Sequence, residues 1–157
     1  MAYAEAEVII NAPIERVWQT MLATDRYSEW NPFITRIDTP AGGPRVGADL
    51  ILHVNFSSGM RATTRERITR LEPPAPGNDG VVRAHLQYVF LGPLHTLFLV
   101  RGQRPQIVEA LDAGRCRYHT SEKLTGLLAG LAPIRQVQDG FERHAAALKQ
   151  RCEQAVF

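Results

Sequence analysis

Two glutamates occupy positions where a carboxylate could do chemistry. In "MRATTRERITRL" (residues 60–71), strict alternation places Glu66 in phase with Met60, Ala62, Thr64 and Ile68. In "RCRYHTSEKL" (residues 115–124), Glu122 shares a face with Cys116, Tyr118, Thr120 and Leu124. The opposite faces, Arg61, Thr63, Arg65, Arg67 and Thr69 in one segment and Arg115, Arg117, His119, Ser121 and Lys123 in the other, are wholly polar. An inward carboxylate must therefore be paired, wetted or protonated with a raised pKa. A raised pKa suits general acid–base work. Tyr88, inward on "VVRAHLQYVFL", and Arg101, or alternatively Arg104, complete a candidate set of Glu66, Glu122, Tyr88 and Arg101 for acid–base and oxyanion roles. Two structural alternatives stand beside it. Glu122 anchors a rim through an architectural pairing, or an irregularity in its strand turns Glu66 outward.

The other reactive side chains point nowhere specific. His53, His85 and His119 fall on outward phases, His95 lies in a loop, and His144 borders the inner face of a helix. No histidine pair has metal-ligand spacing, and there is no nucleophile elbow, phosphate loop or dinucleotide fingerprint. A metal-free, cofactor-free pocket is expected. The formal charge of +2 is spread along the chain, which does not suit nucleic acid. Cys116 and Cys152 are too few for a disulfide framework and read as reduced thiols of a cytoplasmic protein. No signal peptide is visible at the N-terminus. The most apolar window, residues 86–100, is broken by Gly92-Pro93 and is shorter than the about 20 residues that cross a bilayer. A soluble chain without a transmembrane segment is expected.

These side chains must be positioned by a sheet. Residues 4–10 read as a first strand; Ile14, Val17, Trp18, Met21 and Leu22 then recur at helical spacing behind Pro13. A short helical turn follows and ends at Asn31-Pro32. "FITRIDT", "ADLILHVNF", the segment around Glu66, "VVRAHLQYVFL", residues 98–111 and the segment around Glu122 follow as strands, with a loop expected at "EPPAPGNDG". Residues 133–155 form a long closing helix, with Ile134, Val137, Phe141, Ala145, Leu148 and Cys152 on one face. An antiparallel sheet wet on one face needs a cover on the other, and only that helix is long enough. The class is α+β, and one domain over 1–157 is expected. Trp18 and Trp30 read as core and corner packing. Gly140 either makes room for a ligand beside Phe141 or permits close helix–sheet approach.

The stretch "INAPIERVWQTMLATDRYSEWNPFI" resembles the opening of the SRPBCC superfamily, the START and birch-pollen-allergen-like helix-grip proteins. "DAGRCRYHTSEKLTGLLAGL" and "GFERHAAALKQRCE" resemble the last hairpin and closing helix of its bacterial polyketide cyclase/dehydrase-type members, with Cys116 where threonine is usual and Leu124 where phenylalanine is usual. The resemblance implies a curved sheet of roughly seven strands gripping the C-terminal helix, with an apolar cavity between them. It also implies glutamate at position 122 as a common family feature across different activities.

Alternating hairpins collect Ser57–Gly59, residues 92–97 and residues 125–132 at one end of the sheet. That end is rich in leucine, and it is either the mouth of the cavity or a plug. The expected lining is Leu52, Val54, Phe56, Met60, Tyr88, Phe90, Leu97, Phe98, Tyr118, Leu127, Leu131 and Phe141. The leading reading is binding of a small hydrophobic molecule, aromatic, polyketide-like or lipid-like. The alternatives are a cofactor-independent polyketide cyclase or dehydratase, and a lipid or quinone chaperone making peripheral contact with a membrane or partner. Oligomeric state is left open.

Overall fold

The computed structural model describes residues 2–92 and 100–154. Seven strands form one antiparallel sheet: β1 (Ala2–Ile10), β2 (Ile34–Asp38), β3 (Asp49–Asn55), β4 (Arg61–Pro76), β5 (Val82–Leu91), β6 (Arg101–Asp112) and β7 (Arg115–Thr125). Helix α1 (Ile14–Leu22) and a 3-10 turn (Thr24–Glu29) separate β1 from β2; a 3-10 turn (Ala129–Leu131) precedes the long helix α2 (Ile134–Glu153). The order across the sheet is β1-β7-β6-β5-β4-β3-β2, so β2 to β7 form a meander and β1 closes onto its last strand.

Helix α2 lies along β1 and covers its outer edge. The Gln138 side chain accepts from Glu5 N at 2.9 Å and donates to Glu5 O at 2.7 Å. Lys149 Nζ donates to Ile9 O at 2.8 Å. Helix side chains thus satisfy an edge that would otherwise offer unpaired backbone groups. The apolar stripe of α2, Phe141, Ala145, Leu148 and Cys152, is buried against Ile10, Leu50, Leu86, Val108 and Cys116 of the sheet. Trp18 is buried in that core, and Trp30 packs at a corner against Tyr27, ring centroids 4.9 Å apart.

One strand differs from the sequence reading, and one open alternative is decided. β4 runs to Pro76, through part of the expected loop, because register shifts between Ile68 and Arg70 and between Glu72 and Ala75 let Pro73 and Pro74 drop out of the ladder. The first shift lies beyond Glu66, so residues 61–68 keep strict alternation and Glu66 stays inward. At Gly140, a Cβ would stand 2.2 Å from the Phe33 ring. The missing side chain is filled by Phe33, so Gly140 serves close approach and leaves no room of its own for a ligand.

Candidate functional site

Where α2 lifts from the sheet, a cavity of about 290 Å³ opens between β3–β7 and the first turns of the helix. Its wall is mostly apolar: Phe33, Leu52, Val54, Phe56, Phe90, Leu124 and Phe141 carry much of it. The space exceeds the ~150 Å³ apolar cavity that accepts benzene. A larger groove of about 540 Å³ beside α1 is open surface, and two of its arginines, Arg26 and Arg151, already pair with Glu29.

Of the expected lining, Leu52, Val54, Phe56, Met60, Phe90 and Phe141 border this cavity. Tyr88 and Tyr118 do not. Both are fully buried beneath it, with the Tyr118 hydroxyl donating to Gln106 Oε1 at 2.8 Å and its ring stacked on His144. Leu127 and Leu131 are 87% and 81% exposed, outside the wall. The 3-10 turn between β7 and α2 buries Ala129 and turns those leucines to solvent, while Ala132 and Pro133 complete the lining. Leu97, Phe98 and His95 lie outside the described residues.

Three charged side chains enter the cavity: Glu66, Arg104 and Glu122. Arg101, the first of the two arginines named from sequence, sits on the outer face of β6, beside Lys123 and Thr125, while the alternative, Arg104, is the one that faces inward. The inward residues of β6 are Gly102, Arg104, Gln106 and Val108. Arg104 is 4% exposed and is the only buried cation among the described residues. Its Nε donates to Thr120 Oγ1 at 3.1 Å, and its guanidinium carbon lies 4.4 Å above the Phe141 ring. Such stacking favours a desolvated guanidinium.

Backbone register explains how the three meet. Gln103 pairs Lys123 and Gln106 pairs Thr120, so Arg104 falls opposite Glu122. Pro105 has no N–H for the ladder there, and its carbonyl accepts from Thr120 Oγ1 at 3.3 Å. Across the next strands, Tyr88 pairs Arg104 and Glu66 pairs Phe90. Gly102 lets the Leu124 and Glu122 side chains lie close against β6. A Cβ added there would meet Leu124 Cδ2 at 2.8 Å and Glu122 Oε1 at 2.9 Å.

The electrostatics follow from the burial of these groups. Burial pushes the Glu122 carboxyl up to about 7, the nearby Glu66 adds to the rise, and Arg104 opposes it. Glu66 is raised for the same first reason, resisted by Arg104 and by a 3.1 Å hydrogen bond from Thr64 Oγ1. Burial thus shifts both carboxyls toward their protonated forms. Tyr88 is raised strongly by burial and remains a neutral phenol.

His144 is part of the structural core. Asn31 Nδ2 donates to its Nδ1 at 2.8 Å, while Asn31 Oδ1 accepts from Phe33 N and Ile34 N. Burial, aided by Arg104, holds the imidazole well below its usual pKa. Among the described residues no three histidine, cysteine or acidic side chains gather to hold a metal ion.

Sequence reading missed Phe33, Ile34 and Val100, and it put Arg104 second to Arg101. Leu124 and Val137 were legible, being in phase with Glu122 and Phe141 respectively. Phe33 had one faint sign, the glycine at 140 that it fills.

Solved structures share this architecture. A START superfamily protein from Mycobacterium smegmatis superposes with a TM-score of 0.69 at 14% identity, over 98% of this chain and 99% of that one. The Zhui aromatase/cyclase from Streptomyces sp. R1128 does so with a TM-score of 0.63 at 19% identity, over 96% and 93%. A di-domain aromatase/cyclase, BexL of the BE-7585A biosynthetic pathway, matches at 12% identity and a TM-score of 0.69, with this chain covering half of it. At these identities the likeness shows the fold alone, the START or helix-grip arrangement of a curled seven-stranded sheet and a C-terminal helix. No curated protein matches the sequence. A family model described as polyketide cyclase/dehydrase and lipid transport matches residues 1–153, nearly the whole chain. The chain belongs to that family.

Proposed function

We propose that this protein encloses a small, largely apolar molecule between its sheet and α2. The observation that carries the reading is the apolar cavity of about 290 Å³, walled by aromatic and aliphatic side chains. Burying about 200 Å² of ligand surface there contributes roughly 5 kcal/mol before the costs of association. Native mass spectrometry of freshly purified protein tests it. The expected result is a non-covalent adduct or uptake of an added aromatic probe; a chain that carries nothing and takes up nothing overturns the reading.

The trio in the cavity supports a second reading, a cyclase- or dehydratase-type reaction. One glutamate removes a proton alpha to a ligand carbonyl, Arg104 steadies the resulting enolate oxygen, and the protonated partner returns the proton to a leaving hydroxyl. Glu122→Gln separates the two readings. A carrier keeps its ligand, whereas an enzyme keeps affinity and loses turnover. Exposed Leu127, Leu131 and Met60 beside the cavity also support delivery of the cargo to an apolar surface such as a bilayer. Leu127→Asp or Leu131→Asp would then abolish sedimentation with vesicles.

A further inference from the structure

The end of the sheet at which the cavity opens also carries a pattern of charge. Arg61 begins β4 beside Met60, Arg101 begins β6, Lys123 lies two residues before the end of β7, and Arg135 is in the first turn of α2. All four are exposed. Register sets Arg101 opposite Thr125, two residues before Leu127, and Arg101 and Lys123 line one shallow recess. None of the ion pairs among the described residues includes Arg61, Lys123 or Arg135. Glu5 and Asp139, on the adjoining β1 and α2, are engaged elsewhere, by Tyr3 and His119 and by Arg143 respectively. The chain has 18 lysines and arginines against 16 acids, so these four cations turn a remainder of net −2 into +2. Spread along the sequence, the positive excess collects at one end of the fold. The N-terminus of α2 adds its dipole there, with no acid in its first turn to offset it.

Inside this collar stand apolar side chains. Leu127 and Leu131 are 87% and 81% exposed, and Met60 is 45% exposed. Ala129, between the two leucines, is fully buried and anchors the turn that holds them out. Projecting leucines need a partner that yields around them, and the headgroup region of a bilayer does so without a matching pocket. Cations set around them are attracted to anionic lipid.

We propose that this end docks on the surface of an anionic bilayer. Leu127, Leu131 and Met60 enter the headgroup region, and Arg61, Arg101, Lys123 and Arg135 meet the negative headgroups. This rests on the apolar-cargo reading above and names the surface that the cargo leaves or reaches. Met60 belongs both to this end and to the cavity lining, with Ala132 and Pro133 beside it in that lining. Docking therefore sets the cavity opening against lipid, and an apolar guest can pass without crossing water.

Sedimentation of the full chain with phosphatidylcholine vesicles, with and without about one-third phosphatidylglycerol, tests this. At low salt the anionic vesicles should bind at least about thirtyfold more tightly, at about fivefold for each cation that reaches the surface. Added salt should shrink that preference. The triple variant Arg61→Gln/Lys123→Gln/Arg135→Gln should lose most of it while binding neutral vesicles as before. Arg45→Gln/Arg70→Gln/Arg115→Gln removes the same charge toward the other end of the sheet and should keep it. Leu127→Ser/Leu131→Ser should weaken binding to both vesicles by about tenfold or more. All of these side chains are exposed, so the variants should fold. Equal binding to the two vesicles, equal losses in the two triple variants, or no vesicle binding would overturn the proposal. Binding of polyglutamate in place of vesicles would assign this face to an acidic protein and overturn it as well. Uptake of an apolar probe by the same preparation, read by native mass spectrometry, separates these failures from failure of the cavity reading.

Discussion

The two faces of the sheet treat carboxylates in opposite ways. On the outer face each acid meets an arginine or histidine in or near water. Asp49 takes Arg65 at 2.6 Å and Arg67 at 2.7 Å, and Glu109 takes Arg83 and Arg117. Asp38 is held by His53 and Arg36, and Glu72 by Arg70. Asp38, Asp49 and Glu72 are depressed as a result, with Asp49 drawn down to about 2 by its two guanidinium partners. On the inner face Glu66, flanked in sequence by Arg65 and Arg67, cannot reach either, because successive strand residues point to opposite sides. Burial dominates, and Glu66 and Glu122 are both raised. Pleat geometry, rather than sequence distance from a cation, decides which acids hold protons at neutral pH.

The largest effect should come from filling the inner space. Ala62→Trp places an indole in the cavity from β4, while Thr63→Trp adds the same group to the outer face. The first variant should lose affinity for an apolar probe by at least a hundredfold, about 2.7 kcal/mol, and the second should lose nothing. Equilibrium dialysis with naphthalene measures both. Equal affinities in the two variants would place the ligand somewhere other than the cavity.

An intermediate effect concerns proton linkage. Glu122 is raised from 4.5 to about 7 in the folded chain, so between those values the native state binds more protons than the unfolded one. Its contribution is complete below about pH 4.5 and is lost as pH rises through about 7. His144 acts in the other direction: its depressed pKa makes stability fall as pH drops below its ordinary value. A single pH curve mixes the two, but comparing wild type with Glu122→Gln isolates the glutamate. The variant should gain on the order of 2 kcal/mol relative to wild type at pH 8 over its standing at pH 4.5. Urea denaturation at both pH values reads this difference, and parallel curves would mean that Glu122 is not protonated inside the fold.

Much of this was legible in the sequence, for a reason that also explains the failures. Period-two alternation in β3, β4 and β7 is clean, so the inward placement of Leu52, Val54, Glu66 and Glu122 could be counted off directly. In β6, Gly102 and Pro105 interrupt the count, and the choice fell on Arg101 although the inward residue is Arg104. Counting back from Val108 would have found it. Leu127 and Leu131 were misplaced because composition reports that a loop is apolar, not which way it turns. Phe33 precedes its strand and owes its position to a contact with Gly140 on a distant helix, a pairing no local pattern encodes.

The smallest effect lies on the outer face, where the comparison is sharpest. Asp49→Asn removes the carboxylate that holds Arg65 and Arg67, yet all three side chains reach water. Solvent can replace what each loses, and surface ion pairs contribute little. The midpoint of thermal unfolding should fall slightly at low ionic strength, and the difference should narrow as salt is added, because screening weakens exposed pairs. Stability lost with Asp49 should also be absent below about pH 2, where the native carboxyl is itself protonated. The Glu122→Gln difference should respond much less to salt, since its charge sits in the cavity wall beyond the reach of most counterions. A salt dependence of equal size at the two positions would mean that water fills the inner cavity as freely as it bathes the outer face, and the distinction between the faces would fall.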